Sequence, residues 1–287
     1  MVYKKALLTS CVVFGSIMAG QQPLSQQDRM LPLEQRMDVL TSTSSNFDES
    51  LALYFPSLTQ IPDFPSIRKG VVVLHNNAPY AIKAVVIKWT IVEGGITTTL
   101  FRPMMPEPRR FGGVPGAMPL IAPNQAIIVS PYAQLSEPST STEQQQFIEN
   151  TTAVDKHISD ASSTIAAQID SLIIGNGAGN AVIFGRDNYG MQLKFTAERD
   201  ASIEEAKALL PLIESGSGVL GYLDNQLKGS ATQLDDPNAL ALAHAAVRLK
   251  ALYQKVSIDE FKRQVTILSG ANRMIVTKSK DYIAGRG

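Results

Sequence analysis

The chain has 287 residues, which is enough for one large or two small domains with a real hydrophobic core. Its 26 basic and 26 acidic residues cancel, which argues against nucleic acid or an anionic membrane as the partner. Hydrophobic residues make up 44% of the chain, an ordinary value for a globular protein.

The first twenty residues have the layout of a secretory signal peptide. A basic start, "MVYKK", is followed by the apolar run "ALLTSCVVFGSIMAG" and then by the polar "QQPLSQQDR". The run is shorter than the roughly 20 residues that a membrane span needs. We therefore predict that residues 1–20 are removed, that the protein is exported to the periplasm or outside the cell, and that the mature chain has no transmembrane span. A buried N-terminal helix is the alternative.

The only cysteine, Cys11, lies inside this run. The preceding "LTS" resembles a bacterial lipobox, so Cys11 could be a lipidated N-terminus, and the chain would then be a lipid-anchored accessory protein. A lipobox cysteine ends its apolar run, whereas this run continues beyond Cys11. Cleavage after Ala19 or Gly20 is the favoured prediction, and it leaves a mature chain without disulfides or thiolate metal sites.

Residues 21–66 form a polar N-terminal extension, in which "SNFDESLALYFPSL" predicts a short helix that ends before Pro56. From Gly70 the chain becomes rich in β-branched residues. Three runs separated by turn residues predict an antiparallel meander, namely "VVVLHNN" at 71–77, "AIKAVVIKWTIV" at 81–92 and "ITTTLF" at 96–101.

A long loop follows, because residues 102–124 hold six prolines and three glycines. Long ordered loops are often functional. We predict that the loop at 102–123 contacts an unknown protein or envelope component, through Met104, Met105, Arg109, Arg110, Phe111 and Met118. The methionines could instead be apolar anchors of the loop, or soft ligands for a metal such as Cu(I).

The middle of the chain predicts more strands and one helix. "QAIIVSPY" reads as a strand, and the spacing of Ile158, Ala161, Ile165 and Ile169 predicts a helix over 147–170. "SLII", "NAVIFG" and "MQLKFTA" read as three further short strands. The fold class is therefore α+β, with about seven strands forming an antiparallel immunoglobulin-like β-sandwich over 67–197 that a helical insertion near 147–170 interrupts.

Residues 198–287 predict a helical C-terminal region. Asp236 and Pro237 indicate one helix start, and Ser257 with Glu260 forms the capping pattern of another. We expect these last two helices to pack as a hairpin, on each other or on the sandwich.

The stretch "SLIIGNGAGNAVIFG" at 171–185 is a candidate nucleotide-binding loop. Its spacing is G-x-G-x-G, and a β-branched segment follows instead of the helix that a dinucleotide fingerprint needs. A glycine-rich hairpin is the favoured interpretation. "GRDNYG" at 185–190 reads as a turn, since a calcium loop needs several acids at alternating positions.

The three histidines, His75, His157 and His244, show no metal or catalytic spacing in the sequence. Trp89, in the middle of a strand, is predicted to be a core residue. We predict no catalytic residue, no cofactor and no metal ligand. A hydrolase, with a site assembled between sandwich and helices, is the enzymatic alternative, and it requires one histidine to reach a carboxylate.

The segments "VVVLHNNAPYAIKAVVIKWTI", "IAPNQAIIVSPY" and "AVIFGRDNYGM" resemble uncharacterised exported proteins of soil bacteria, over residues 68–199. In those proteins a signal peptide precedes an immunoglobulin-like sandwich and then helices. The resemblance implies architecture and export, and it carries over no activity and no functional residue. The expected function is that of a non-enzymatic binding or structural protein of the bacterial cell envelope.

Overall fold

The computed structural model describes residues 36–61, 64–106, 119–133, 135, 140–158, 164–175, 180–230, 236–280 and 282. The predicted signal peptide and Cys11 lie outside these residues. The strands are β1 (Met37–Leu40), β2 (Val72–Asn76), β3 (Ile82–Glu93), β4 (Ile96–Met104), β5 (Ala126–Val129), β6 (Thr164–Gly175), β7 (Ala181–Gly185) and β8 (Val276–Lys278). The helices are α1 (Phe47–Tyr54), α2 (Pro56–Thr59), α3 (Phe64–Ile67), α4 (Ser141–Ile158), α5 (Met191–Glu214), α6 (Val219–Ser230), α7 (Pro237–Lys255) and α8 (Ile258–Ser269). The fold therefore mixes helices and strands, as predicted.

The strands form two sheets. One has three strands in the order β1-β2-β5, and the other has five in the order β4-β3-β6-β7-β8. Neighbouring strands are antiparallel except β7 and β8, which are parallel. The sequence did not predict β1, because its four residues lie in the polar extension.

The predicted meander is wrong at its first connection, since β2 pairs with β1 and β5 and not with β3. The buried side chain of Asn76 explains the crossing to the other sheet. Its amide Nδ2 donates to the carbonyls of Tyr80 and Ile121, and its Oδ1 accepts from the Ala78 amide at 2.9 Å. These bonds fix a turn that takes the chain from one sheet to the other.

One hydrophobic cluster contains residues of both sheets. The smaller sheet contributes residues such as Val72 and Leu74, and the larger contributes Ile87, Trp89 and Phe184. Trp89 is 1% exposed, which confirms its predicted place in the core.

Helices pack on the other side of each sheet. Val73 of β2 packs with Phe47 and Leu51 of α1, while Ile183 of β7 packs with Met191 and Phe195 of α5. Strands buried on both faces need apolar residues at successive positions. This explains why "VVVL" and "AVIF" lack a polar alternation.

Residues 164–170 form the first half of β6, so the prediction of helix up to 170 is wrong there. The helix in this region is α4, which ends at Ile158. Ile165 and Ile169 are four residues apart, and that spacing puts two side chains on one face of either a helix or a strand. Antiparallel pairing of this segment with β3 decides for the strand.

"MQLKFTA" forms the first turns of α5, so its prediction as a strand is also wrong. Met191 and Phe195 are buried and four residues apart, whereas Leu193 between them is 54% exposed. A strand would bury all three on one face. The helical region thus begins at Met191, and α5 continues through the expected boundary at 197/198.

The remaining helices pack around the second half of α5. A separate hydrophobic cluster joins Leu209 of α5 with Leu223 of α6, Leu249 of α7 and Val265 of α8. The predicted caps are confirmed, because Asp236 accepts from the Asn238 amide and Ser257 accepts from the Glu260 amide. Both α7 and α8 contact α5 more extensively than they contact each other.

The glycine-rich stretch and the chain end both contribute to the larger sheet. β6 and β7 pair antiparallel with Gly175 opposite Ala181, which confirms a hairpin where the nucleotide loop was considered. Residues 176–179 of its turn lie outside the described residues. After α8, β8 adds a parallel edge strand to β7, which the sequence did not predict.

Candidate functional site

The proline-rich loop leaves and re-enters the fold at neighbouring points of β3. Met104 pairs with Val85, and Ile121 bridges to Ile82 with amide-to-carbonyl distances of 3.0 and 3.2 Å. Three residues of a strand span about 10 Å. The loop between Met104 and Ile121 therefore closes on itself at its base, as in Ω-loops, which are frequently functional.

Two of the predicted contact residues belong to that base. Met104 packs against the hydrophobic cluster that contains residues of both sheets, and Met105 packs against the opposite face of the larger sheet with Met191 and Phe195. Their places agree with the alternative role of apolar anchors. The other predicted contact residues, Arg109, Arg110, Phe111 and Met118, lie outside the described residues.

A polar cluster joins α5 to α7. Glu198 Oε1 lies 2.5 Å from His244 Nδ1, and Glu198 Oε2 accepts from Arg248 Nη1 at 2.8 Å. Arg248 Nη2 also donates to Ser202 Oγ at 2.9 Å. The side chain of Glu198 is 13% exposed, whereas that of His244 is 50% exposed. The cluster thus brings a histidine to a carboxylate, which the hydrolase alternative requires.

The hydrogen bonds of this cluster nevertheless suit a clamp between helices better than a nucleophilic site. Ser202 Oγ donates to the backbone carbonyl of Glu198 and accepts from Arg248. An activated serine needs a base at its hydroxyl, and a guanidinium cannot accept a proton. Arg248 therefore occupies the position that His244 would need.

Sequence reasoning missed this cluster although a signal was present. Polar residues four apart share a helix face, as do Glu198 and Ser202, and His244 and Arg248. The second pair stands out in the alanine-rich α7. The first was hidden because the start of α5 was predicted as a strand.

His75 lies at the end of β2 in a second, smaller group. Its Nε2 is 3.1 Å from Tyr54 Oη, its Nδ1 is 2.7 Å from Asn77 Oδ1, and Asp38 Oδ2 is 3.7 Å away. The group connects α1 to the smaller sheet. His157 lies in α4, and its side chain is outside the described part of the chain.

Two buried carboxylates hold the start of α5. Asp187 Oδ1 accepts from the Met191 amide, and Asp170 accepts from both the amide and the side chain of Asn188. Asp170 stands at a β-bulge between β3 and β6, which turns its side chain toward this helix start. Burial raises the pKa of Asp170. Asp187 and Asn188 thus fix the turn that was predicted for "GRDNYG".

A third buried acid, Glu205, lies between α5 and α6. Burial raises its pKa, and its hydrogen-bond partner is Tyr222. Its Oε2 has no hydrogen-bond partner among the described residues. Glu205 is therefore a buried acid of the helical bundle whose carboxyl group is only partly hydrogen-bonded among the described residues.

Within the described ranges, no group of three or more His, Cys, Asp or Glu side chains has the geometry of a metal site. No helix in the described part of the chain is long and apolar enough to cross a membrane. In comparisons with known proteins, no family model, no curated protein and no solved structure matches this chain.

Proposed function

We propose that the protein is an exported, non-enzymatic binding or structural protein of the bacterial cell envelope, and that the loop after β4 carries its contact surface. The observation that supports this most is the closed base of the loop, where Met104 and Ile121 both pair with β3. A rigid sheet then presents the loop, which is the usual arrangement for binding loops. Arg109, Arg110 and Phe111 supply cationic and aromatic groups of the types enriched in protein interfaces.

The finer fold class remains part of this proposal. The cluster shared by the two sheets supports a β-sandwich, with helices on both outer sides and a parallel β8 as additions to the immunoglobulin-like plan. The resemblance to exported proteins of soil bacteria points the same way.

Co-purification tests the loop directly. The double variant R109E/R110E reverses two charges in the loop, and K228E/K262E reverses two exposed charges on α6 and α8 as its matched control. We expect the loop variant to lose a partner that the parent and the control retain. Equal recovery of every partner from all three proteins would refute the loop as contact surface.

Intact mass tests export. We expect the protein recovered from the cell envelope or medium to lack residues 1–19 or 1–20. A mass that includes a lipid on Cys11 would establish the lipid-anchored alternative, and a full-length mass would contradict cleavage.

The hydrolase alternative has one observation in its favour, the contact between half-exposed His244 and Glu198. We rank it second because Ser202 faces Arg248 and donates to a backbone carbonyl. On this interpretation the cluster contributes to the stability of the fold.

A further inference from the structure

The outer edge of β4 is long and lacks the usual protection of edge strands. β4 ends the five-stranded sheet, and no other described strand pairs with its outer side. Ile96–Thr99 are exposed, Ile96 by 71%, and Ile96–Phe101 carry no charge. Soluble proteins commonly blunt such edges with lysines, prolines or bulges. Here the first proline, Pro103, comes only near the end of the strand.

The hairpin geometry determines which backbone groups of β4 are free. Gly94 and Gly95 form a two-residue turn with φ of 55° and 80°, and Glu93 lies opposite Ile96. In such a turn the flanking pair is hydrogen-bonded in both directions, and bonded pairs then recur at every second residue. Thr98 and Leu100 therefore also bond to β3. The N–H and C=O groups of Thr97, Thr99 and Phe101 point outward.

We propose that this edge pairs with the same edge of a second copy of the chain, antiparallel and about a two-fold axis at Thr99. Thr99 then lies opposite Thr99 of the second copy, and Thr97 lies opposite Phe101. Every outward N–H and C=O of these three residues gains a partner. The contact is isologous, as in most symmetric dimers.

Neighbouring registers satisfy fewer groups. An axis at Thr98 places Phe101 opposite Gly95, whose positive φ belongs to the turn and cannot continue a ladder. An axis at Leu100 places Thr97 opposite Pro103, which has no N–H to donate. The axis at Thr99 is the one of the three that uses all outward groups.

Side-chain chemistry argues for a second copy as the occupant. The paired segment is uncharged. Removal of residues 1–20 takes away Lys4 and Lys5, which leaves 26 − 2 = 24 basic and 26 acidic residues, so two mature copies with a net charge of −2 repel each other only weakly. Cross-strand pairs of threonine and of aromatic with β-branched residues are favourable. At each end Arg102 lies opposite Ile96 of the second copy. Glu93 of that copy pairs with its own Ile96 and lies one strand further away, so opposite charges stand at both ends of the contact.

The dimer would join two five-stranded sheets into one continuous sheet. A single strand edge buries less surface than the roughly 1,600 Å² of a standard stable interface. We therefore expect association that depends on protein concentration. This inference concerns the strand edge alone and does not require the loop to have a partner.

Sedimentation of the full mature chain over a range of concentrations tests the proposal. The parent is expected to shift from monomer to dimer. Thr99→Pro removes an outward N–H and spares the pairing with β3, and Thr99→Lys places two like charges at the axis. Both variants are expected to stay monomeric. Thr164→Lys makes the same change at an exposed residue of β6, away from the β4 edge. It is the control, and this variant should still dimerise.

Cysteine cross-linking tests the register, in the chain without residues 1–20, which has no cysteine of its own. Thr99→Cys should form an intermolecular disulfide readily, because residues on the axis face each other directly. Thr98→Cys should cross-link much more slowly, since it lies opposite Leu100. A parent that stays monomeric at every concentration, with or without another protein at this edge, would overturn the proposal. So would dimers that persist in both Thr99 variants, or faster cross-linking at position 98.

Discussion

At the scale of single residues, Glu198 joins two helices through its two carboxylate oxygens. One oxygen contacts His244 and the other accepts from Arg248, and both partners lie on α7. Glu198 is mostly buried, so an arginine that compensates its charge matters more here than at the surface. The residues most suggestive of chemistry thus have a structural explanation.

The first prediction removes that arginine. Arg248→Met retains an apolar stem in place of the arginine stem and removes the guanidinium group that pairs with Glu198. We expect a loss of about 1–3 kcal/mol in the free energy of unfolding, as for a buried polar group that loses a charged partner. Urea denaturation measures it.

Arg263→Met is the matched control, because Arg263 pairs with Glu260 on the surface of α8. Exposed pairs contribute little, and we expect a change of at most about 0.5 kcal/mol. Equal losses in the two variants would contradict the assignment of Arg248 to a clamp.

The second prediction concerns pH. Burial raises the pKa of Glu205, so the folded chain binds more protons than the unfolded chain above the unfolded value of about 4.3. Stability then falls as pH rises through that window. Glu205→Gln removes the buried charge, and we expect its stability relative to the parent to increase between about pH 4 and pH 7.

Glu260→Gln should show the opposite trend. A side-chain hydrogen bond from Arg263 lowers the pKa of Glu260 to about 2, so its contribution is present above about pH 4.3 and is lost as the pH falls. The loss caused by this variant should therefore shrink toward acid. Two parallel pH profiles, measured by thermal or urea unfolding, would contradict the raised pKa of Glu205.

At the scale of elements, α5 connects the two halves of the molecule. Met191 and Phe195 at its start pack on the larger sheet, and Leu209 nearer its end lies in the helical cluster. Between them, Ala197 and Ala201 lie against Ala241 and Ala245 of α7. Small side chains at all four positions permit close approach of the two helices.

The third prediction tests this close approach. Ala245 is 1% exposed, so Ala245→Leu forces extra methyl groups into a filled space and should cost about 1–3 kcal/mol. Ala251→Leu, on the exposed side of the same helix, should change stability by about 0.5 kcal/mol or less. Urea unfolding measures both. A tolerated leucine at position 245 would show that α5 and α7 are not closely packed there.

Caps and turns, which depend on residues close in sequence, could be predicted from the sequence. Elements that depend on strand pairing or on packing against distant residues could not. The caps at Asp236 and Ser257 and the turn at Gly94 depend on neighbouring residues, and the structure confirms them. A spacing of four fits a helix and a strand alike. The sequence therefore predicts a helix for Ile165 and Ile169 and a strand for Met191. Pairing with β3 makes the first segment a strand, and packing on the larger sheet makes the second a helix.

At the scale of the whole molecule, the described chain is layered. Helices pack on one side of each sheet, residues from the other sides belong to one hydrophobic cluster, and the helical bundle extends from α5. The pairing of β2 with β1 and β5 was not predictable, because a buried asparagine and a strand in the polar extension determine it. The base of the loop was not predictable either, because it depends on the bridge between Ile121 and Ile82.

The most direct test of the proposed function is site-specific photocross-linking in intact cells that export the protein. A photoreactive amino acid at Phe111 samples the loop, and one at Ile267 samples an exposed position on α8. We predict a discrete cross-linked envelope component from position 111 and none from position 267. Cross-links from position 267 alone, or no cross-link from either position, would contradict a binding protein that acts through this loop.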